Sequence, residues 1–297
     1  MHILISGARG LIGTQLSAHL ALTGHQITRL VRRAAGPNEV SWNPALGELN
    51  PASIEGIDAV IHLSGAGIAD KRWTDTYKRE ILESRTKSTD LLAKTLASLT
   101  RKPSVLLSGS AIGIYGARDD VQVDETSLPG ASFLADVCQR WESAATAATN
   151  AGIRTVFLRT GIVLTPKGGA LKKQLPLFKF GLGGRFGRGK QWQSWITLDD
   201  EIRAIEFLLT APVTGAANLT APNPVTNSEF TSTLARVLHR PALIPVPSLF
   251  PKLLLGSELA ESLLLSGQRV FPSVLTTNGF KFTHQRLEEA LRSLLNK

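Results

Sequence analysis

The sequence predicts an α/β fold: a doubly wound parallel sheet, completed by a second, smaller α/β lobe. Three observations predict it. Apolar runs typical of buried strands alternate with stretches of helical periodicity over the first 165 residues. A glycine-rich turn directly follows the first apolar run. The 297 residues, 43% of them hydrophobic, suffice for one large domain or two modest ones with a substantial core.

The predicted elements follow one another as strand and then helix. Strands are expected where short apolar or alternating runs occur, at 2–6, 26–31, 59–63, 104–107 and 155–159. Helices are expected where apolar residues recur with helical spacing, at 11–23, 74–99 and 133–151. Because right-handed crossovers join parallel strands, these helices should cover both faces of the sheet. Later helices are expected at 200–209, 228–239 and 285–295.

Composition excludes several classes of protein. A chain with 43% hydrophobic and 19% charged residues does not have the composition of a disordered protein. One cysteine excludes an intrachain disulfide framework, and six scattered histidines give no metal-binding spacing, so no metal is expected. Proline and charged residues interrupt the most apolar stretch, 249–265, and the first residues lack the pattern of a secretory signal. We therefore expect a cytoplasmic protein with no membrane partner.

The first predicted turn, GARGLIG, has the glycine spacing of a phosphate-binding loop. Gly7 allows a tight turn after the strand, Gly10 lets the backbone approach a pyrophosphate, and Gly13 lets the helix pack on the sheet. The helix start, at Leu11 and Ile12, offers unpaired N–H groups to the phosphates. The pattern predicts a Rossmann-like dinucleotide-binding domain. A glycine turn that merely packs is the alternative.

The end of the second predicted strand selects the cofactor. An NAD site needs an acidic residue there to bind the ribose 2′-hydroxyl. This sequence has Arg32 and Arg33 at that point and no acid. Guanidinium groups suit a 2′-phosphate, and Arg9 inside the glycine loop can contribute to the same site. NADP(H) is therefore favoured over NAD(H), with ordinary solvated arginines as the alternative.

These features divide the chain into two predicted parts. Residues 1–165 form the NADP-binding Rossmann-like domain, to which 195–225 return. Residues 166–194 and 226–297 form the smaller C-terminal substrate lobe. Because open parallel sheets bind ligands at the carboxyl ends of their strands, the ligand cleft is expected between the two parts.

One segment concentrates the positive charge of a chain whose net charge is +9. Residues 167–190 contain seven lysines and arginines, no acidic residue and several glycines. We interpret the segment as a flexible cationic lid over an anionic substrate or the cofactor phosphates, or as a solvated loop. A nucleic-acid partner is not expected, because no recognised nucleic-acid motif accompanies the charge.

The motifs resemble those of the extended short-chain dehydrogenase/reductase superfamily. The stretches that carry the resemblance are GARGLIG, HLSGAGI and LLSGSAIGIYG, in this order. The chain is more narrowly similar to the atypical YfcH-type branch, NAD-dependent epimerase/dehydratase-like proteins with a small C-terminal module. That similarity lies in RWTDTYKREILESR, FLADVCQRWE, RTGIVL, WITLDD and the tail RVFPSVLTTNGFKFTHQRLEEAL, so it covers nearly the whole chain.

The resemblance implies a set of site residues. Ser110 matches the superfamily's catalytic serine, whose hydroxyl holds the substrate oxygen while a tyrosine, acidified by a lysine, moves a proton. Besides the glycine loop and the arginines, the positions implied to contact the cofactor are Leu63, Ser64, Gly65, Glu80, Arg85, Ser108 and Val163.

The usual tyrosine and lysine are missing from their expected places. Counting back from Glu142 puts Leu134 at the tyrosine position and Cys138 at the lysine position. Leucine has no proton to give, and cysteine cannot act as a cation. Tyr115 or the Cys138 thiol can be considered as replacements, with packing as the alternative for each. The acidic pair at 199–200 is interpreted as a helix cap.

Two functions remain open at this point. The first is an NADP(H)-dependent oxidoreductase or epimerase that acts on a small polar substrate, either neutral or anionic. In this function Ser110 orients the reacting oxygen of the substrate. The second is a cofactor-binding sensor or scaffold without turnover, which the absence of the tyrosine and lysine supports. The sequence does not decide between a monomer and a homodimer.

Overall fold

The computed structural model describes residues 1–242 and 244–297. The strands are β1 (His2–Ser6), β2 (Gln26–Val31), β3 (Glu39–Ser41), β4 (Ala59–His62), β5 (Val105–Ala111), β6 (Gln122–Val123), β7 (Arg154–Thr160), β8 (Ile162–Leu164), β9 (Trp192–Gln193), β10 (Trp195–Thr197), β11 (Gly215–Leu219), β12 (Val225–Thr226) and β13 (Arg269–Val270). The α-helices are α1 (Leu11–Leu22), α2 (Asp75–Ser98), α3 (Phe133–Ser143), α4 (Thr146–Asn150), α5 (Gly169–Lys179), α6 (Leu198–Thr210), α7 (Asn227–Leu238), α8 (Leu249–Leu255), α9 (Ser257–Ala260), α10 (Ser273–Thr277) and α11 (Leu287–Leu295).

The main sheet has seven parallel strands in the order β11-β7-β5-β4-β1-β2-β3. The predicted doubly wound sheet is thereby confirmed. Chain order reverses between β1 and β4, since successive connections run in opposite directions from β1. In such sheets a crevice opens outside the carboxyl ends of the two strands at the reversal, where ligands bind.

Both faces of the sheet are buried, and successive side chains of each strand alternate between the two faces. Ile3 and Ile5 lie in one hydrophobic cluster with residues of α1 and α6, whereas Leu4 lies in a second cluster with residues of α2. Both faces therefore exclude water, which explains why the strands read as nearly continuous apolar runs. Leu275 and Phe280, in the C-terminal part of the chain, also belong to the first cluster. The domain boundaries given above stay a prediction.

A separate hydrophobic core lies outside the main sheet. Residues of α5, α7 and α11 form it together with Leu164 of β8 and Trp195 of β10, which are fully buried. This core includes α5, which is part of the basic segment 167–190. The expectation of a flexible loop is wrong for Gly169–Lys179, which forms α5 because Leu171, Leu175 and Phe178 recur with helical spacing and are buried.

The start of α6 differs from its sequence interpretation. Thr197 caps the helix, because its hydroxyl accepts a hydrogen bond from the Asp200 N–H (3.2 Å). The buried Asp200 carboxylate instead accepts hydrogen bonds from the N–H groups of Thr283 (2.8 Å) and His284 (2.9 Å). Asp200 therefore ties the C-terminal segment to α6. The helix expected at 133–151 is divided into α3 and α4.

Candidate cofactor and substrate site

The glycine loop has no room for side chains at two of its glycines. Gly7 has a φ of +70°, and a Cβ there would lie 2.6 Å from the Leu63 carbonyl oxygen. A Cβ on Gly13 would lie 2.2 Å from the Gly7 carbonyl oxygen. Helix α1 begins after Gly10, which provides no side-chain cap. The N–H groups that start at Leu11 thus remain available to an anion.

Arginines converge beside the glycine loop, at the end of β2. Glu39 of β3 is paired with Arg33 (2.7 Å) and lies 3.9 Å from Arg9. The Gly36 N–H and the Arg33 guanidinium lower the pKa of Glu39. Arg32 is exposed and has no ion-pair partner in the described part of the chain. The sequence analysis missed Glu39, because this acid reaches the site from the neighbouring strand.

The turn after β4 runs beside the same loop. The contact between Leu63 and Gly7 brings the turn to the carboxyl end of β1, and the Ser64 N lies 3.0 Å from where a Gly7 Cβ would be. Ala66 N–H donates to the Ser84 hydroxyl of α2 at 3.0 Å, which fixes the turn against the helix. The structure therefore brings residues 63–65 together with the glycine loop, as the cofactor prediction requires.

Helix α2 places its two candidate residues differently. Arg85 is 93% buried, with its guanidinium packed against Gly65 and 5.0 Å from the centre of the Trp141 ring. Glu80 is exposed, and its carboxylate lies 3.5 Å from the Lys71 ammonium. The structure thus brings Arg85 to the crevice and leaves Glu80 at the surface beside it.

Ser110, at the end of β5, has an ordered hydrogen-bond acceptor. Its hydroxyl donates to the Glu142 carboxylate at 2.6 Å. Glu142 also receives two bonds from Arg159, from Nε at 2.9 Å and from Nη2 at 3.0 Å. The Ser108 hydroxyl is buried and has no hydrogen-bond partner among the residues described. Because its proton is directed to Glu142, Ser110 presents oxygen lone pairs to any other group that approaches it.

Tyr115 lies in the interior rather than at an open surface. Its side chain is fully buried, and its hydroxyl donates to Asn218 Oδ1 at 2.7 Å and accepts from Arg159 Nη1 at 3.0 Å. Burial raises the pKa of this phenol, and the Arg159 charge partly opposes the shift. A proton-donor role for Tyr115 stays a prediction and requires the hydrogen bond that its hydroxyl donates to Asn218 to open.

The positions of the missing tyrosine and lysine are apolar or neutral. Leu134 and Cys138 are both buried on α3. Burial, followed by the negative charge of Glu142, raises the pKa of Cys138 to about 11. The thiol is therefore protonated at neutral pH, and it supplies neither a cation nor a nucleophilic thiolate.

The segment after β7 contacts the first turn of α1. Val163 lies in β8, which pairs in parallel with β10, and its partner in that strand is Ile196. A Cβ on Gly168 would lie 2.5 Å from the Leu11 side chain, so the start of α5 packs closely on α1. Ile12 packs against the first hydrophobic cluster, as does Val163. The structure therefore places Val163 and the glycine loop on neighbouring elements.

Glu201 is a buried acid that the sequence analysis did not single out. Its Oε1 accepts a hydrogen bond from the Thr160 hydroxyl at 2.8 Å, and its Oε2 is buried with no partner in the part of the chain that is described. Burial raises the pKa of Glu201 to about 8. Only the three-dimensional packing of α6 against β7 reveals this residue, since the sequence shows it as one of three consecutive acids at a helix start.

We predict that Glu201→Gln stabilises the protein increasingly as pH rises. Above pH 4.5, the usual pKa of the group, Glu201 keeps its proton in the folded state but loses it in the unfolded chain. Its contribution to the free energy of unfolding is therefore fully present below about pH 4.5 and is lost as the pH rises to about 8. Relative to wild type, the variant should gain roughly 1–4 kcal/mol between those limits, measured by urea unfolding. The exposed Glu289→Gln is the control; equal gains for both variants would refute the prediction.

A cavity of about 870 Å³ lies outside the main sheet's strands, none of which contributes to its lining. Residues from 117–120, 186–192, 247–252 and 261–267 line it, so both predicted parts of the chain contribute. Its lining cations are Arg188, Lys190 and Lys252. Trp192 also lines it, fixed by an Nε1 hydrogen bond to Asp120 (2.8 Å) and by the Arg269 guanidinium 4.5 Å from its ring centre. Asp119, Asp120 and Glu261 line the same cavity, so its lining carries equal numbers of basic and acidic residues beside the aromatic wall of Trp192.

The described residues, 1–242 and 244–297, contain no cluster of three histidine, cysteine, aspartate or glutamate side chains arranged to hold a metal ion. None of their helices combines the length and apolar composition needed to cross a bilayer.

The sheet order, the glycine cradle and the crevice beside it define a Rossmann-type α/β protein with a dinucleotide site. The family model for the NAD dependent epimerase/dehydratase family matches residues 3–220, and a domain of unknown function, DUF1731, matches residues 246–294. The chain therefore belongs to the NAD dependent epimerase/dehydratase family, which confirms the predicted resemblance.

Individual proteins resemble the chain over almost its full length. An epimerase family protein of Mycobacterium tuberculosis, MT2273, is 43% identical over 291 residues, 97% of this chain and 96% of that protein. The epimerase family protein YfhF of Bacillus subtilis is 35% identical, covering 99% of this chain and 98% of YfhF. The crystal structure of human epimerase family protein SDR39U1 with NADPH covers 100% of both chains, with 32% identity and a TM-score of 0.91.

Proposed function

We propose that the chain is an NADP(H)-dependent oxidoreductase or epimerase acting on a small polar substrate. The observation that carries the proposal is the glycine loop, where backbone fills the space of a Cβ on Gly7 and Gly13, together with Arg9 and Arg33, which Glu39 joins, and the exposed Arg32 that follows β2. This arrangement fits a pyrophosphate with a neighbouring 2′-phosphate. The NADPH in the similar human structure supports the same cofactor.

Each part of the crevice has a task in this proposal. The N–H groups at the start of α1 hold the pyrophosphate, and Arg32 holds the 2′-phosphate together with the arginines that Glu39 positions. Leu63, Ser64, Gly65 and Val163 border the rest of the cofactor. The nicotinamide supplies a hydride donor or acceptor when bound. Ser110 orients a substrate hydroxyl by accepting its hydrogen bond, because Glu142 takes the Ser110 proton; a substrate carbonyl can be held only when Ser110 turns that proton away from Glu142.

The cavity of about 870 Å³, with its charged and aromatic lining, supports a polar substrate. Arg188 and Lys190 are exposed on its wall and have no ion-pair partner among the described side chains, whereas Lys252 is paired with Glu261 at 2.9 Å. Asp119 is likewise exposed and has no ion-pair partner among the described side chains, so the cavity offers charges of both signs to a polar substrate.

A second candidate is a cofactor-binding sensor or scaffold without turnover. The burial of Leu134 and the neutral Cys138 favour it, because the tyrosine and lysine of the superfamily have no replacement at their own positions. The two candidates differ in one property: an enzyme transfers hydride to or from a second molecule, and a sensor does not.

Hydride transfer distinguishes the two functions. Wild-type protein is incubated with deuterated NADPH and a panel of carbonyl compounds and sugar nucleotides, and transfer of label is measured by mass spectrometry. Removing the group that orients the reacting oxygen should slow transfer by about 10²–10⁴-fold in Ser110→Ala. Ser104→Ala, at the other end of the same segment, should leave it unchanged. Transfer that is equally low in wild type and Ser110→Ala would instead support the sensor.

A further inference from the structure

Helix α8 presents an apolar face to solvent. Four of its side chains are 62–72% exposed: Leu249, Phe250, Leu253 and Leu254. At about 3.6 residues per turn, they span an arc of roughly 140° around the helix and so form a single face. Pro251, which lies outside this face, is buried. Because a surface helix ordinarily turns its apolar face to the core, the outward face of α8 is available to a partner.

A second exposed apolar group adjoins α8. It comprises four side chains that are 52–80% exposed, at the end of α5 and in the segment before α8: Leu177, Phe180, Leu182 and Ile244. The chain after α5 runs beside the chain before α8, because the Val246 N–H donates to the Arg185 carbonyl oxygen at 2.8 Å and the Gly187 N–H donates to the Val246 carbonyl oxygen at 2.9 Å. We call the side chains of both groups the apolar patch. Exposed apolar side chains gathered in this way mark an interaction site.

Positive charge surrounds the apolar patch. Residues 167–190 contain seven lysines and arginines, residues 240–256 contain two, and neither segment contains an acidic residue. The cations on α5 and beside the patch are exposed and have no ion-pair partner among the described side chains: Lys172, Lys173, Lys179, Arg185 and Arg240. The acids that follow α8 in the chain, Glu258 and Glu261, are each paired with a lysine. Asp119 and Asp120 line the cavity, to which no residue of the patch contributes. The surroundings of the patch therefore favour an anionic partner.

We propose that the apolar patch binds the surface of an anionic lipid bilayer. Its phenylalanine and leucine side chains enter the boundary between headgroups and acyl chains, and the surrounding cations contact the lipid phosphates. Because the patch side chains are more than half exposed, they project outward, and a fluid bilayer accepts them without the matching surface that a protein partner needs. A second copy of the chain fits less well, since two such patches would bring cations together with no acid between them.

The sequence predicts no membrane partner, because it contains no stretch long and apolar enough to span a bilayer. A helix that lies on a bilayer does not need such a stretch. Only the structure shows that α8 turns its apolar face outward. Lys252, on another side of α8, lines the cavity, so binding through the patch holds the cavity next to the membrane surface.

Sedimentation with lipid vesicles tests the proposal on the full-length protein. Wild type is expected to bind vesicles of equimolar phosphatidylglycerol and phosphatidylcholine, and to bind vesicles of phosphatidylcholine alone at least about tenfold less tightly. Phe250→Ser/Leu254→Ser removes two apolar side chains from the patch, so it should weaken binding to the anionic vesicles at least about tenfold. Lys172→Gln/Lys173→Gln should weaken that binding as well, and added salt should reduce the binding of wild type.

Exposed leucines outside the patch provide the matched control. Leu22→Ser/Leu46→Ser removes two apolar side chains that are 89% and 69% exposed, and it should bind the vesicles like wild type. Urea unfolding checks that each variant is folded, as expected for changes at exposed positions. Absence of wild-type binding, equal binding to anionic and neutral vesicles, or unchanged binding by Phe250→Ser/Leu254→Ser would each overturn the proposal. Self-association of wild type that this variant loses, without vesicle binding by either, would assign the patch to a second copy of the chain instead.

Discussion

Replacing Gly13 by alanine is expected to weaken NADPH binding strongly and to destabilise the fold. The added Cβ would lie 2.2 Å from the Gly7 carbonyl oxygen and 2.8 Å from the Ala8 Cα, both of which are backbone atoms. Neither can move without shifting the loop that faces the phosphates. Overpacking of this kind should lower the free energy of unfolding by about 1–3 kcal/mol. NADPH affinity should fall by about 100-fold, equivalent to roughly 2.7 kcal/mol.

The control for this variant is Gln15→Ala on the same helix. Gln15 is partly exposed, and alanine is a good helix former, so both stability and NADPH affinity should remain near those of wild type. Unfolding in urea and titration with NADPH measure the two quantities separately. NADPH binding by Gly13→Ala with wild-type affinity would show that the phosphates do not approach this turn.

Arg159→Met should destabilise the protein more than any other single change considered. The Arg159 and Glu142 side chains are 10% and 13% exposed, and two hydrogen bonds join them. Methionine would leave the Glu142 carboxylate without its cation and the Tyr115 hydroxyl without a donor. Removing one partner of a buried pair costs about 3–5 kcal/mol, to be measured by urea unfolding.

The double variant Glu142→Leu/Arg159→Met tests the physical reason. If the loss comes from an uncompensated charge, removing both charges should recover most of the stability that Arg159→Met loses. Arg140→Met, which removes an exposed ion pair on the same helix as Glu142, should cost less than about 1 kcal/mol. A small effect of Arg159→Met, or full additivity in the double variant, would contradict this explanation.

The sequence was sufficient for five of the seven strands of the main sheet, because strand and helix differ there in period; β3 and β11 were not predicted. Strand β2 was predicted at its observed bounds, and α1 and α2 within one residue of theirs. The short strands of the small sheets were missed. Two- and three-residue strands such as β9 and β13 have no period of their own, and their partners lie far away in the chain.

The site was predictable only where a motif is local. The GARGLIG motif predicts its turn directly, because the strand, the glycines and the helix are contiguous in the sequence. The environments of Glu39, Glu201 and Glu80 depend on partners from other parts of the chain. The spacing of residues in the sequence does not reveal those partners. The Ser110–Glu142–Arg159 contacts join three elements in the same way. The cationic helix α5 was mistaken for a loop, because its charges and flanking glycines outweighed the helical spacing of its three buried residues.

Selectivity between the two nicotinamide cofactors tests the central claim most directly. Wild-type protein is titrated by calorimetry with NADPH and with NADH under identical conditions, and Arg32→Ala is titrated beside it. We expect wild type to bind NADPH more tightly than NADH by at least about tenfold, the effect of one charge-assisted phosphate contact. Arg32→Ala should lower the ratio of NADPH affinity to NADH affinity. Tighter binding of NADH by wild type, or no heat with either nucleotide at millimolar concentration, would contradict the account.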